Sequence, residues 1–321
     1  MSRVLALYET DHESTVVVHG DGGRVLCRVP ARANGGAGRI EVAGDAAVVT
    51  VARGGATPFL RVDLATGAVA DAAPPVPGEA PPWAARCRAH PGGVLSAVVR
   101  RDDRRELWLH AGGSWSREPL PPSFEVYDVA VEGSSVLASG RIRGPRPKAA
   151  VLSREGPGEW ALAFSSRGPS VYDTVLRDGP AVAAWGDHEE WGRLDGTVVV
   201  GAGNGPWHEV RVDGGALAGL LRTDDGAVAV TARGYGVPAA GGQLRPVPGL
   251  VAALAALPGD DVLLRRVRGD GDSVVAIAHP LSGGRAAASA VLASRDGGAT
   301  YDVVATSQPG SPRPVDVALA R

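Results

Sequence analysis

Residues 126–131 read Val126-Tyr127-Asp128-Val129-Ala130-Val131, and beyond the turn at Gly133 the chain continues as Val136-Leu137-Ala138-Ser139-Gly140. The same arrangement returns 45 residues later as Val171-Tyr172-Asp173-Thr174-Val175-Leu176, followed by Ala181-Val182-Ala183-Ala184-Trp185. Each copy is an apolar run, a tight turn and a second apolar run, a pattern typical of two antiparallel strands. A hairpin follows in each case, and a tryptophan opens its last strand at Trp115, Trp160 and Trp207.

The repeat extends over the whole chain at intervals of about 46 residues. First strands are predicted at Arg39–Ala43, Ala84–Ala89, Phe124–Val131, Ser170–Leu176, Gly215–Leu221, either Leu250–Leu257 or Val262–Val267, and Pro314–Ala320. Four-stranded units at this spacing are typical of propeller blades, and no segment carries a sustained helical period. The sequence therefore predicts an all-β, seven-bladed β-propeller in one domain over residues 1–321. Six or eight blades remain alternatives, because the register is weakest between Gly236 and Gly284.

The two ends of the chain complement each other. The chain finishes with a first-strand pattern, Val315-Asp316-Val317-Ala318-Leu319, and begins with a second-strand pattern, Arg3-Val4-Leu5-Ala6-Leu7. We therefore expect one blade to take its inner strand from the C-terminus and three strands from the N-terminus. Closure of this kind pairs strand edges that would otherwise stay open.

Composition restricts the classes of partner and compartment. The formal net charge is −2, which gives no general attraction to nucleic acid or acidic membranes. No run reaches the ~18 apolar residues of a membrane span, and the first residues lack the apolar core of a signal peptide. Cys27 and Cys87 are too few for a disulfide framework. We expect a cytoplasmic protein, a monomer, with neither nucleic acid nor membrane as partner.

One hairpin carries a family signature. Residues Ser294-Arg295-Asp296-Gly297-Gly298-Ala299-Thr300-Tyr301 resemble the Asp-box (BNR repeat), Ser-x-Asp-x-Gly-x-Thr-aromatic, of the sialidase-like propellers. Residues 153–160 are similar to a decayed copy. The resemblance implies a structural turn, in which the aspartate binds backbone N–H groups.

The resemblance does not extend to a catalytic site. Sialidases use an arginine cluster, a Tyr–Glu nucleophilic pair and an Asp acid on six blades. This chain has no Arg-Ile-Pro motif and seven predicted blades. Tyr127 and Tyr172 could stand at nucleophile positions, but the neighbouring Asp128 and Asp173 match nothing specific in that family.

Charged residues recur at matching positions of the repeat. Alignment of the first strands brings together the carboxylates Glu41, Asp128, Asp173 and Asp316, and alignment of the second-strand ends brings together Arg53, Arg100, Arg141 and Arg233. The carboxylates are candidate Ca²⁺ ligands. The arginines are candidates to bind a carboxylate or phosphate by paired hydrogen bonds. Alternatively, the two sets neutralise each other as a structural network.

The loop 185–191 is the best local candidate for a ligand site. Trp185, His188 and Trp191 combine aromatic surface with a hydrogen-bonding imidazole, a mixture suited to sugars or to acid–base chemistry. The candidate catalytic residues are Asp128, Asp173, His188 and Glu190. Zinc is not indicated, because paired His or Cys spacing is missing.

Two functions follow, from different classes. The first is a binding propeller whose charged face, at the mouth of the central channel, binds an anionic small molecule, a glycan or a peptide. The second is an enzyme, a hydrolase or lyase of glycosidase or natural-product type, that uses carboxylates at the same face. The binding hypothesis is favoured because no complete catalytic constellation is visible, and a fold alone does not specify chemistry.

Overall fold

A computed structural model describes most of the chain. The described residues are 3–10, 13–19, 23–30, 38–50, 59–72, 83–101, 104–166, 171–187, 196–202, 205–212, 217–223, 226–259, 261–280, 289–307 and 311–320.

Short strands dominate the secondary structure. The first half of the chain forms β1 (Arg3–Glu9), β2 (Glu13–His19), β3 (Arg24–Pro30), β4 (Arg39–Ala43), β5 (Ala46–Thr50), β6 (Phe59–Asp63), β7 (Val69–Asp71), β8 (Trp83–Ala89), β9 (Leu95–Arg101), β10 (Arg104–Ala111), β11 (Ser114–Glu118), β12 (Phe124–Glu132), β13 (Ser135–Ile142), β14 (Lys148–Glu155) and β15 (Ala161–Ser166). The second half forms β16 (Thr174–Asp178), β17 (Ala181–Asp187), β18 (Gly196–Ala202), β19 (Trp207–Val212), β20 (Leu217–Thr223), β21 (Gly226–Thr231), β22 (Tyr235–Pro238), β23 (Arg245–Pro246), α1 (Pro248–Ala255), β24 (Val262–Asp270), β25 (Ser273–Pro280), β26 (Ser289–Ser294), β27 (Asp302–Ser307) and β28 (Arg313–Ala320).

These strands form seven four-stranded antiparallel sheets within the described residues, the architecture of a seven-bladed β-propeller. Six sheets use four consecutive strands, beginning at β4, β8, β12, β16, β20 and β24. The seventh has the order β28-β1-β2-β3. The prediction of seven blades, with both chain ends in one blade, is confirmed.

In the blade that joins the termini, the register between β1 and β28 is continuous from Arg3 to Leu7. Leu5 lies opposite Ala318, Arg3 opposite Ala320 and Leu7 opposite Asp316. Its buried residues pack with those of β4–β6, and Leu5, Leu7 and Ile40 are at most 1% exposed. The apolar residues of the two terminal segments therefore belong to one core.

The chain packs into two compact units. The terminal unit comprises residues 1–73, 232–234 and 246–321, and the central unit comprises residues 74–231 and 235–245. The single domain over 1–321 stays a prediction.

One of the two alternatives for the sixth first strand was wrong. Most of the segment Leu250–Leu257 belongs to the helix α1, which ends at Ala255. The first strand of that blade is β24, which begins at Val262. Pro248 stands in the first turn, where its missing N–H is not needed, and the buried Leu250 and Leu254 share a face at i, i+4. No helix within the described ranges is long and apolar enough to span a bilayer.

A recurrent bulge shapes the first strands. Pairing with the second strand shifts by one residue at Ala85, Tyr127, Ala218, Arg265 and Val315, in five of the seven blades. A bulge re-aims the side chain of the extra residue and often lies beside functional sites. It therefore gives Tyr127 and Arg265 equivalent places in two different blades.

The Ser294–Tyr301 turn is held by its own side chains. Asp296 Oδ1 accepts hydrogen bonds from Ser294 Oγ at 2.7 Å and from Thr300 N at 2.9 Å, and Ser294 Oγ accepts one from Gly298 N at 2.9 Å. The hydrogen bonds from Ser294 and Thr300 lower the pKa of Asp296. The aspartate thus binds the turn's own backbone, as predicted.

Candidate functional site

In the terminal unit, β24 supplies two arginines to the carboxylates of β28 and β4. Arg266 contacts Asp316 (Nε–Oδ1, 3.2 Å) and Glu41 (Nη2–Oε1, 2.8 Å), and Arg268 also pairs with Glu41. Ile40 N donates to Asp316 Oδ2 at 3.0 Å, and Arg268 Nη2 donates to Ile40 O at 3.1 Å. Burial disfavours the charged guanidinium of Arg268, but Glu41 and Asp316 outweigh burial and raise its pKa. Two cations and two anions therefore join three first strands.

The central unit contains a similar arrangement on β8, β12 and β16. Asp128 Oδ2 lies 3.0 Å from Arg86 Nη1 and 2.7 Å from Arg88 Nη2. Val175 N donates to Asp128 Oδ2 at 2.9 Å, and Arg88 Nη1 donates to Val175 O at 2.5 Å. Arg86 also donates to the backbone oxygen of Asp173 and to Thr174 Oγ1.

We call these two arrangements the arginine clasps. In each, the arginines of an Arg-x-Arg strand in one blade contact the aspartate of an Asp-Val-Ala strand in another blade. A third first strand donates one N–H to the aspartate and offers one C=O to the second arginine. The sequences are Arg86-Cys87-Arg88 with Asp128-Val129-Ala130, and Arg266-Val267-Arg268 with Asp316-Val317-Ala318. Because residues i and i+2 share a strand face, both arginines of each Arg-x-Arg strand reach the same aspartate.

The clasps place three of the four predicted metal ligands, Glu41, Asp128 and Asp316, in ion pairs. Asp128, Asp316 and Glu41 are 1%, 3% and 5% exposed and contact guanidinium groups. Within the described part of the chain, no group of three His, Cys, Asp or Glu side chains is arranged to hold a metal ion. Of the alternatives considered from the sequence, a structural network fits these carboxylates best, although their partners are arginines other than those predicted.

A second charged group, which we call the Glu125 cluster, lies at the start of β12. Glu125 contacts Arg141 Nε at 2.8 Å, Arg143 Nε at 3.3 Å and Arg105 Nε at 3.5 Å. The guanidinium carbon of Arg105 stacks 3.6 Å from the ring centre of Tyr127, the bulged residue of β12. Arg100 completes the cluster, because it lies directly opposite Arg105 in the β9–β10 pair.

Electrostatics show that the cations of this cluster act on one another. Burial lowers the pKa of Arg105, Tyr127 and Glu125 oppose that effect, and the charges of Arg100 and Arg86 add to it. Burial works against the charged form of Glu125, but the Arg141 hydrogen bond and the charges of Arg141, Arg143 and Arg105 lower its pKa overall. Glu125 is therefore ionised at neutral pH, surrounded by positive charge.

The predicted anion-binding arginines are only partly brought together. Arg100 and Arg141 belong to the Glu125 cluster. Arg233 lies in the terminal unit and pairs with Asp261 at 3.1 Å. Arg53 lies outside the described residues.

Most of the predicted loop site lies outside the part of the chain that the structure describes. His188, Glu190 and Trp191 lie outside the described residues. Trp185 is 5% exposed and packs in an apolar cluster with Val198 and Val237, so its ring serves the core. Tyr172 is fully buried, and burial raises its pKa. Asp173 accepts from Arg86 through its backbone oxygen.

Sequence reasoning missed the residues that do most of the pairing. These are Arg86, Arg88, Arg105, Glu125, Arg143, Arg266 and Arg268. The sequence did contain a signal for the clasps. Arg-x-Arg at 86–88 and 266–268 is followed, 40 to 50 residues later, by the tripeptide Asp-Val-Ala at 128–130 and 316–318. A second signal was the cross-strand pair Arg100–Arg105, because the sequence of this hairpin reads Arg100-Arg101-Asp102-Asp103-Arg104-Arg105.

Comparison with solved structures gives the fold. The chain matches a protein from Lactobacillus plantarum at a TM-score of 0.60 and 12% identity, over 100% of both chains. It matches a Mycobacterium tuberculosis puromycin-hydrolyzing peptidase at a TM-score of 0.61 and 13% identity, over 95% of this chain but 53% of the peptidase. It also matches YCF48 bound to D1 peptide at a TM-score of 0.51 and 14% identity, over 82% of this chain and 79% of that one.

Comparison by sequence gives no assignment. No protein-family model matches the chain, and no curated protein matches it. The identities to the solved structures, all below 15%, show that this chain shares their propeller fold and nothing more specific.

Proposed function

We propose that this propeller is a binding protein, and that its Glu125 cluster takes the anionic group of a peptide or small molecule. The ligand's carboxylate or phosphate would lie against Arg100, Arg105, Arg141 and Arg143. Planar guanidinium groups suit such anions because two parallel N–H donors match two oxygens.

The observation that carries the proposal is the placement of Arg100 opposite Arg105. Like charges directly opposite each other on neighbouring strands are destabilising, so stability alone does not favour the pair Arg100–Arg105. Glu125 contacts Arg105, Arg141 and Arg143, so three guanidinium groups share this carboxylate.

The cluster is also accessible. Arg100 is exposed, and the side chains of Arg141 and Arg143 are 34% and 44% exposed. Arg105 is held by its stacking on Tyr127, which reduces the conformational freedom lost on binding. A rigid central arginine with exposed neighbours is suited to capture an anion from solvent.

A peptide ligand has additional support from the comparisons. YCF48, of similar fold, was solved with a D1 peptide, and the mycobacterial relative by structure is a peptidase. This chain spans about half of that peptidase, so we do not extend its hydrolytic activity to this protein. We propose peptide binding without cleavage.

The test is binding of a fluorescent acidic octapeptide, amidated at its C-terminus, against the same peptide with Gln for Glu. We expect the wild type to prefer the acidic peptide, and the double variant Arg100→Ala/Arg141→Ala to bind it at least about tenfold more weakly, since a hydrogen bond to a charged group contributes about 1.5–3 kcal/mol. Fluorescence anisotropy measures the Kd. Raising NaCl should weaken wild-type binding.

The matched control is Arg117→Ala, which removes an arginine with 63% side-chain exposure from the same unit. Its affinity for the acidic peptide should equal that of the wild type. Equal binding of both peptides, or an unchanged Kd in the double variant, would refute the proposed site.

We also propose that the chain is a distant relative of the Asp-box propellers. The hydrogen bonds of Asp296 with Ser294 and Thr300 support the relationship, because they use the residues that define the signature. A cytoplasmic location, a monomeric state and a partner other than nucleic acid belong to the same proposal. The near-neutral net charge supports the last of these.

A further inference from the structure

A second group of charged residues adjoins the arginine clasp of the terminal unit, because the charge of Asp316 acts on Glu9 of this group. Arg313 is the first residue of β28 and lies directly opposite Glu9, the last residue of β1. Glu9 is partly buried, and its Oε1 accepts a hydrogen bond from Gly38 N at 2.7 Å. A side chain at Gly38 would collide with this carboxylate, so glycine is required for the contact. The backbone thus fixes Glu9 beside the exposed Arg313.

Arg265 belongs to the same group. It is the bulged residue of β24, and its side chain is exposed. The adjacent Arg266, by contrast, contacts Asp316 in the clasp. The charges of both Arg265 and Arg313 act on Glu9 and on His279. Within the described residues, neither arginine forms a hydrogen bond or an ion pair closer than 4 Å.

His279 adds a neutral polar group to this site. Its Nδ1 lies 3.0 Å from Ser289 Oγ on the neighbouring strand β26. Burial, followed by the positive charges of Arg265 and Arg313, lowers its pKa to about 4. At pH 7 the two arginines therefore supply positive charge next to an uncharged imidazole.

We propose that Arg265 and Arg313 together bind the C-terminal carboxylate of a peptide chain, with Glu9 accepting the last N–H of that chain. The two guanidinium groups have donors to spare for two carboxylate oxygens. Glu9 has one oxygen bonded to Gly38, and its second oxygen is suited to an amide N–H next to the bound carboxylate. This site is independent of the Glu125 cluster.

The probe is N-acetyl-Ala-Ala, which has a free carboxylate, and its control is the corresponding C-terminal amide. Ligand-observed NMR titration gives both affinities. We expect the acid to bind, the amide to bind at least about tenfold more weakly, and Arg265→Ala or Arg313→Ala each to weaken acid binding by a similar factor. The exposed Arg24→Ala, on β3 of the same unit, should leave acid binding unchanged.

Two measurements keep the outcome interpretable. Since Arg265 and Arg313 are exposed, their alanine variants should melt at the wild-type temperature. The Arg100→Ala/Arg141→Ala variant should still bind N-acetyl-Ala-Ala, and adding Arg265→Ala or Arg313→Ala to that variant should weaken the remaining binding at least about tenfold, which separates this site from the Glu125 cluster. Absence of binding to the wild type at 10 mM (about the upper end for a useful weak site), equal binding of acid and amide, or unchanged affinity in both arginine variants would overturn the proposal.

Discussion

At the scale of single residues, the buried aspartates of the two clasps stabilise the fold through their ion pairs with arginines. Asp128 is almost completely buried and contacts two arginines and one backbone N–H. Removing one member of such a group leaves buried charge without compensation, which is far more costly than losing an exposed ion pair. The clasps therefore make a specific prediction about stability.

We expect Asp128→Ala to lower the free energy of unfolding by about 3–5 kcal/mol, because Arg86 and Arg88 lose their shared carboxylate. Asp128→Asn should cost less, since its amide oxygen can still accept the N–H of Val175. Urea denaturation followed by circular dichroism measures both. The control is Asp45→Ala, which removes an ion pair whose carboxylate is 84% exposed and should change stability by at most about 0.5 kcal/mol. Equal effects of Asp128→Ala and Asp45→Ala would contradict the structural role of the clasp.

At the scale of elements, the strand β28 connects the end of the chain to its beginning. Val317 and Ala318 are at most 1% exposed, and Asp316 joins the terminal clasp. The strand therefore contributes apolar burial, a pairing with β1 along its length that shifts by one residue at Val315, and one charged partner of β24.

Deletion of residues 314–321 should consequently unfold the terminal unit cooperatively rather than fray one end. We expect a fall in melting temperature of at least about 10 °C, because several kcal/mol of burial are lost and 1 kcal/mol corresponds to a few degrees. Differential scanning calorimetry measures the change. As a control, Val304→Ala on the outer strand β27, a residue already 38% exposed, should shift the melting temperature by only a few degrees. A truncated protein with the wild-type transition would disprove this account of closure.

At the scale of the whole molecule, two groups with lowered pKa values make stability fall as the pH decreases. His279 has its pKa lowered to about 4, and the pKa of Glu125 is also lowered. The unfolded chain binds a proton on this histidine near pH 6.5, whereas the folded chain does so only near pH 4. Stability is therefore full above pH 6.5 and falls as the pH decreases toward 4.

We expect the wild type to lose about 1–2 kcal/mol of unfolding free energy between pH 7.5 and pH 5.0 through this histidine. His279→Gln, which has no titrating group, should lose correspondingly less over the same interval. Urea titrations at the two pH values give both differences. Identical pH dependence in the two proteins would show that His279 titrates normally in the folded state.

The sequence by itself determined the blades, because a strand pattern is local. Alternation of apolar residues, glycine turns and the recurrence of Val-Tyr-Asp at a fixed interval are visible without knowledge of any contact. The pairing of the two ends followed from the same pattern, since Val315–Leu319 lacks a second strand and Arg3–Leu7 lacks a first. The turn chemistry of Asp296 was likewise readable, because its partners lie within four residues.

Only the tertiary structure decided which charges meet. Arg86 and Asp128 are 42 residues apart, and Arg266 and Asp316 are 50, so their pairing depends on the packing of neighbouring blades. Alignment of the repeat placed Glu41 level with Asp128, yet in the structure Glu41 contacts both Arg266 and Arg268. The residue that follows Val175 in the central clasp, as Glu41 follows Ile40, is the uncharged Leu176. Burial of Trp185 and the helix at Pro248–Ala255 were equally hidden, because a short apolar run fits a core strand, a helix or a ligand site until its neighbours are known.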